Sequence, residues 1–153
     1  MKKLLLLSLL SALAVNASAA SNCSITYIAG DKLTYIIKQN PFDFENYDQV
    51  CNRLKNANAR VSLSFNSSIG ERQTIAVVMA TVLDKNLPIT SHITSSSIWT
   101  SATRTTAMES ELLMDAINGS LNLINQSDID SLNESRKKLG VKTYPASNNV
   151  SKK

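Results

Sequence analysis

QTIAVVMATVLD, residues 73–84, is the stretch on which the fold turns, because its apolar residues fit two periods. Ile75, Val78, Met79, Val82 and Leu83 would share one face of a helix, with Ser68 and Glu71 upstream as a capping box. Against that, Thr74, Ile75, Val77, Val78, Thr81 and Val82 are β-branched, which favours a central strand covered on both sides. The strand reading carries more of the residues and organises the flanks. ARVSLSF, residues 59–65, alternates Val61, Leu63 and Phe65 with Ser62 and Ser64, the pattern of a half-exposed strand. NSSIGER joins the two, and DKNLPI, with Asp84, Asn86 and Pro88, is the next turn.

Thr90 to Thr106, TSHITSSSIWTSATRTT, follows and holds the only His and the only Trp of the chain. It has neither Gly nor Pro, so it reads as a strand rather than a linker. Ile89, Ile93 and Trp99 fall on one face, and Thr90, His92, Thr94, Ser96 and Thr100 on the other, with an irregularity expected around Ser95 to Ile98. The hydroxyl-rich face, with Trp99 as an aromatic anchor, is the candidate binding surface.

Helices are expected on either side of these strands. Asn40 reads as an N-cap with Pro41 at the first helical position, predicting a helix over 41–57 whose stripe is Phe44, Tyr47, Cys51 and Leu54. Thr106 and Glu109 read as a capping box for a helix over 107–125, which Gly119 weakens. Ser127 to Gly140 predicts a short appended helix with only Ile129, Leu132 and Leu139 on its apolar side. Upstream, Ile25, Tyr27, Ala29 and then Leu33, Tyr35, Ile37 alternate around Gly30-Asp31, a hairpin signal, with a helix over DKLTYIIKQN as the alternative. The expected architecture is one α+β domain: a mainly antiparallel sheet of about three to five strands packed by two main helices.

The N-terminus sets the compartment. MKKLLLLSLLSALAVNASAA has two lysines, an apolar stretch of about a dozen residues and small residues at its end, the pattern of a secretory signal over 1–20. That stretch is shorter than the ~20 residues that span a bilayer, so no transmembrane segment is expected in the mature chain. The chain has 16 basic and 12 acidic side chains; without Lys2 and Lys3 the balance is 14 against 12, a net charge of +2 instead of +4. A nucleic-acid partner is not supported by so small an excess. In an exported chain the pair Cys23 and Cys51 predicts a disulfide. The domain is expected over 21–126, the appended helix over 127–140 and a mobile basic tail over 141–153. Arg136, Lys137, Lys138, Lys142, Lys152 and Lys153 would offer the tail to anionic lipid or lipopolysaccharide.

Catalytic and cofactor chemistry finds little support. His92 is the sole candidate base, and Ser91 beside it points to the opposite face of a strand. The acids Asp43, Glu45, Glu109, Asp128 and Asp130 stand at helix starts, where the dipole accounts for them. Glu111 and Asp115, at i and i+4, read as a solvated helical face. No phosphate-cradling Gly-rich loop occurs, and no cofactor or metal is expected.

The run from Cys51 through Leu54 to ARVSLSF resembles the second-cysteine region of dispersin, a small secreted coat protein of enteric bacteria, in which a helix bearing the second cysteine leads into a Val-Ser-x-Ser strand. The resemblance covers residues 51–65 and implies a surface coat role as one alternative. The spacing from Cys23 is longer than in that family, and the helices after Thr105 have no counterpart there. The expected function is a non-catalytic binding protein of the periplasm or cell surface, whose partner is an envelope or extracellular protein, a glycan or lipopolysaccharide. A secreted inhibitor or immunity protein, plugging a hydrolase with the turns at Ser67 to Glu71 or Asp84 to Pro88, is the other alternative.

Overall fold

In the computed structural model, which describes residues 23–144, the 73–84 stretch is a strand. The sheet is four-stranded in sequence order: β1 (Tyr27–Ala29), β2 (Ala59–Ile69), β3 (Thr74–Asp84) and β4 (Thr90–Ser101). β2, β3 and β4 form an antiparallel meander, and β1 joins β2 in parallel. Four helices complete an α+β domain: α1 (Asp31–Gln39), α2 (Tyr47–Asn56), α3 (Thr106–Asn122) and α4 (Gln126–Lys138). The signal segment over 1–20 and the tail beyond Tyr144 lie outside the described residues.

β3 alternates strictly, with Thr74, Ala76, Val78, Ala80, Val82 and Asp84 buried while the odd positions are half-buried or exposed. The β2 register puts Val61, Leu63 and Phe65 on the buried side, opposite Val82, Ala80 and Val78. Contacts from α1, α3 and α4 all reach this side, through Lys32 over the Phe65 ring, Glu109 bonded to Ser67, and Arg136 bonded to Asp84. The expectation that β3 is covered on both sides is therefore corrected: the helices pack on one side only.

Several local expectations shift for identifiable reasons. The hairpin expected over 25–37 is a three-residue strand followed by α1. Leu33, Ile36 and Ile37 are the buried residues of α1, at helical spacing, while Tyr35, which completed the apparent alternation, is 68% exposed. Asn40 is the C-cap of α1, with its amide and side chain both donating to Ile36 O, so it cannot open the next helix. α2 starts at Tyr47 instead, and the loop before it is held by Asp43 N and Asn46 N donating to Asn118 and Asn122 of α3. Thr105, not Thr106, caps α3 by accepting from Met108 N. Glu109 turns away from the expected capping box toward Lys32, 2.8 Å away, and Ser67.

Cys23 and Cys51 form the disulfide, with Cα atoms 6.0 Å apart, and it fastens the start of the described chain to the buried face of α2. In the chain-entropy account a loop of this length contributes about 3 to 4 kcal/mol.

The largest departure is α4, which is built into the core. Ile129, Leu132 and the whole of Arg136 are buried, alongside Asp128, Ser131 and Ser135. Asn125 and Asp128 form its capping box, and Gly140 at φ 65° closes it, with Gly140 N and Val141 N donating to Lys137 O and Arg136 O. Arg136, counted above among the basic surface residues, donates from Nε (2.8 Å) and Nη2 (2.5 Å) to Asp84 Oδ2, from Nη2 to Asn58 O and from Nη1 to Asn133. Its guanidinium also stacks 4.6 Å from the Tyr144 ring centroid. Asn133 bonds both the amide and the carbonyl of Tyr144, so residues 141–144 of the expected tail fold back on α4.

Asp84 would be pushed up by burial, but the Asn86 amide, the Arg136 guanidinium and the Leu87 amide outweigh this and hold its carboxyl below the ordinary value. A carboxylate lowered on folding contributes stability that is present above its unfolded pKa, about 4, and lost as pH falls through the folded value. Glu109, lowered by Lys32 and then Ser67, acts with the same sign. Urea unfolding of the Asp84→Asn variant is expected to show a loss of about 3 kcal/mol at neutral pH. A shallower decline of stability below pH ~4 than in the wild type is expected with it; parallel pH profiles would contradict the assignment.

Candidate functional site

The side of the sheet away from the helices is left uncovered by the fold. The registers place Ser62, Ser64, Asn66 and Ser68 of β2 on it, then Ile75, Val77, Met79, Thr81 and Leu83 of β3, then Thr94, Ser96, Ile98 and Thr100 of β4. Ile28 of β1, opposite Ser62, extends it to the far edge. The result is an aliphatic stripe along the central strand between two rows of uncharged polar side chains. Arg60, opposite Leu83, is the one charged strand residue on this side. Met79, Ile28 and Ile98 are 38%, 43% and 65% exposed, and Thr81 and Thr94 hydroxyls meet at 3.0 Å across the strands.

Of the residues singled out in the sequence, Thr90, Thr94, Ser96 and Thr100 lie on this uncovered side. Trp99 lies on the helix side, yet is 45% exposed because β4 is an edge strand. Its Nε1 donates to Ser97 Oγ at 3.1 Å. Gly119 of α3 sits against both: a Cβ there would collide with Ser97 Oγ and stand 3.0 Å from Ser97 Cβ. The glycine that appeared to weaken α3 is thus where the helix approaches β4 most closely, and it lies inside a helix that continues to Asn122.

His92 has a different place. The register between β3 and β4 shifts between Thr81 and Leu83, so that Thr94 and Thr90 are their partners and the residues between bulge toward α4. The His92 amide donates to Ser131 Oγ at 2.8 Å, and its Nε2 lies 3.2 Å from Ser135 Oγ. A shallow depression of about 400 Å³ opens beside it, lined by His92, Ile93, Ser127, Asp130, Ser131 and Glu134. This is a serine beside a histidine, with two exposed carboxylates nearby. The Ser135 hydroxyl is buried and also donates to Ser131 O, and Asp130 accepts from Gln126. Orienting a catalytic imidazole takes a carboxylate bonded to it, and none is bonded to His92 among the described residues.

Glu111 and Asp115 line a second depression of about 400 Å³ with Asn40, Ala107, Ser110 and Met114. Among the described residues no group of three or more His, Cys, Asp or Glu is placed to hold a metal ion, and no helix is long and apolar enough to cross a membrane. Both proposed plug loops are short: Gly70 N bonds Gln73 O, and Asp84 Oδ1 holds the Asn86 and Leu87 amides. Ser67 to Ile69 belong to β2.

The β3 stripe is not evident in the sequence because a β-branched run of this kind favours a strand covered on both sides. The signal that could have found it is the small-residue set Ala76 and Ala80, which alternates with larger Ile75, Val77 and Met79. No family model, curated protein or solved structure matches the chain.

Replacing Gly119 by Ala would ordinarily help a helix by about 1 kcal/mol. Here the contact with Ser97 reverses the sign, and a loss of about 1 to 3 kcal/mol is expected, with a change in Trp99 fluorescence. Adding Ser97→Gly is expected to restore most of the stability. A Gly119→Ala variant as stable as the wild type would show that α3 does not approach β4 this closely.

Proposed function

We propose that the protein is an exported, non-catalytic binding protein that acts in the bacterial periplasm or at the cell surface and holds an envelope partner against the uncovered side of its sheet. The observation that carries this reading is the composition of that side: aliphatic residues at the centre, hydroxyls and one Asn around them, one charge, and no helix above them. A contiguous apolar stripe rimmed by polar groups is the usual appearance of an interaction surface, whereas single exposed apolar residues are ordinary. The hydroxyl rows suit hydrogen bonding to an extended peptide or to a glycan.

The disulfide supports an oxidising compartment, in keeping with the signal-like N-terminus. The Ser135 and His92 pair supports catalysis poorly, since the serine is buried and already bonded to its own helix. Arg136, spent in the core, leaves fewer cations for lipid headgroups than the sequence suggested.

The test is binding of the purified, oxidised protein to washed envelopes of the producing bacterium. Met79→Lys places a charge at the centre of the stripe, on a side chain that packs under no helix. It is expected to weaken binding at least tenfold with the melting temperature unchanged. Undiminished binding by that variant would reject the uncovered side as the contact surface.

A further inference from the structure

Arg136 does more than seat α4. The Asn58 carbonyl accepts from Arg136 Nη2 at 3.1 Å and from the Lys85 amide at 3.0 Å, while the Asn58 amide donates to Lys55 O. The end of α2, the turn after β3 and the last turn of α4 therefore meet at one end of the domain. Their meeting gathers cations from segments far apart in the chain: Lys55 from α2, Lys85 from the turn, Lys137 and Lys138 from α4, and Lys142 just beyond it. All five are exposed, and Arg60 at the start of β2 flanks them. Lys142 Nζ and the Arg136 guanidinium lie over the same Tyr144 ring, at 5.1 and 4.6 Å from its centroid. Of the 12 acidic residues in the chain, only Asp84 falls within residues 53–60, 83–90 and 136–144, and Arg136 is its ion partner. Glu134, the next acid back along α4, lies beside His92.

Lysines at helix C-termini complement the helix dipole, which accounts for Lys55, Lys137 and Lys138. It does not account for Lys85 in a turn or Lys142 beyond the helix. Nor does it account for the apolar side chains among them, Leu139 at 66% and Leu87 at 38% exposure. We propose that this end seats the protein on an anionic phospholipid surface, with the lysines among the headgroups and Leu139 and Leu87 at the acyl boundary. The sign of the charge selects an anionic partner. Two features select a bilayer over an acidic protein. The five exposed cations are lysines, mobile point charges contributed by three segments, which suit many loosely placed phosphates better than one carboxylate held in a fork. The leucines between them are suited to the interface, where lysine stems also lie along apolar surface while their ammonium groups stay wet.

The small net charge of the domain hides this end, because the other acids lie elsewhere; the uneven distribution is what would turn it toward the surface. β3 ends and β4 begins here. A domain seated this way stands with its strands rising from the membrane and its uncovered side facing along it, open to the envelope partner. The two contacts are separate surfaces.

Co-sedimentation of the purified protein, disulfide intact, with lipid vesicles tests this. Vesicles of equal parts phosphatidylglycerol and phosphatidylcholine are expected to bind it at about 0.1 M salt and release it at about 1 M, as the screening length falls from about 10 to 3 Å. Pure phosphatidylcholine is expected to bind it at least about tenfold more weakly. Replacing one lysine from each segment, as Lys55→Gln, Lys85→Gln and Lys137→Gln together, is expected to weaken binding to the anionic vesicles at least about thirtyfold, with little change in melting temperature. Leu139→Ser is expected to weaken it severalfold at unchanged charge. Because the vesicles carry no protein, the outcome does not depend on what the sheet holds; in washed envelopes, high salt removes this contact and leaves the apolar one. Failure to bind the anionic vesicles, with or without capture by lipopolysaccharide, would overturn the proposal, as would binding that ignores vesicle charge or the triple substitution. Equally tight binding to polyglutamate, with Leu139→Ser without effect, would assign this end to an acidic protein instead.

Discussion

Every feature of this protein depends on the seating of α3 across β3 and β4. The central strand offers α3 a low surface of Ala76, Val78, Ala80 and Val82, and the helix answers with Leu113, Ala116, Ile117 and Leu121, all fully buried. Where it crosses the edge strand, Gly119 removes the side chain that Ser97 would meet. Small residues on both elements let backbones approach and gain the close contact on which dispersion depends. Because the other helices collect on that same side, the opposite side of the sheet is left to face outward.

Polar groups inside the domain serve to fix the periphery to this core. A buried arginine is costly to desolvate and repays the cost only when its hydrogen bonds are met. Arg136 meets that condition with Asp84, Asn58 O and Asn133, which binds α4 at once to the end of β3, to the turn after α2 and to residues 141–144. Lys32 and Glu109 perform a related task between α1 and α3, in a more exposed place. Asp128 stands apart. Burial is the foremost influence on its carboxyl and raises it above the ordinary value, while Oδ1 has no hydrogen-bond partner and Oδ2 caps α4 through the Asn125 amide. With its folded pKa raised, its cost to stability grows as pH climbs through the carboxylate range, opposite in sign to Asp84.

The parts of the fold that were legible in the sequence are those governed by local pattern. The β-branched run of 73–84, the alternation of 59–65, the Cys23 and Cys51 pair and the capped helix after Thr105 all carry their evidence within a few residues. What was not legible depends on partners far away in the chain. Arg136 and Asp84, 52 residues apart, each look like surface charge until they are brought together. Asn40 has the chemistry of an N-cap and is used at the opposite helix end. Tyr35 gave α1 a false two-residue rhythm. In the candidate site, the alternation of Thr90, Thr94, Ser96 and Thr100 was readable, but the β3 stripe beside it was not, since its exposure follows from all helices packing on one side.

The central claim is that the uncovered side of the sheet is the working surface. Methyl resonances report on it directly, because Ile28, Ile75, Met79 and Ile98 line that side while Leu33, Ile117 and Ile129 lie in the core. Methyl NMR spectra of the protein with and without solubilised envelope material should show perturbation concentrated on the first group, with the second unmoved. Perturbation centred instead on the methyls of exposed Leu123 and Leu139, with the methyls of the four sheet residues unchanged, would contradict the account.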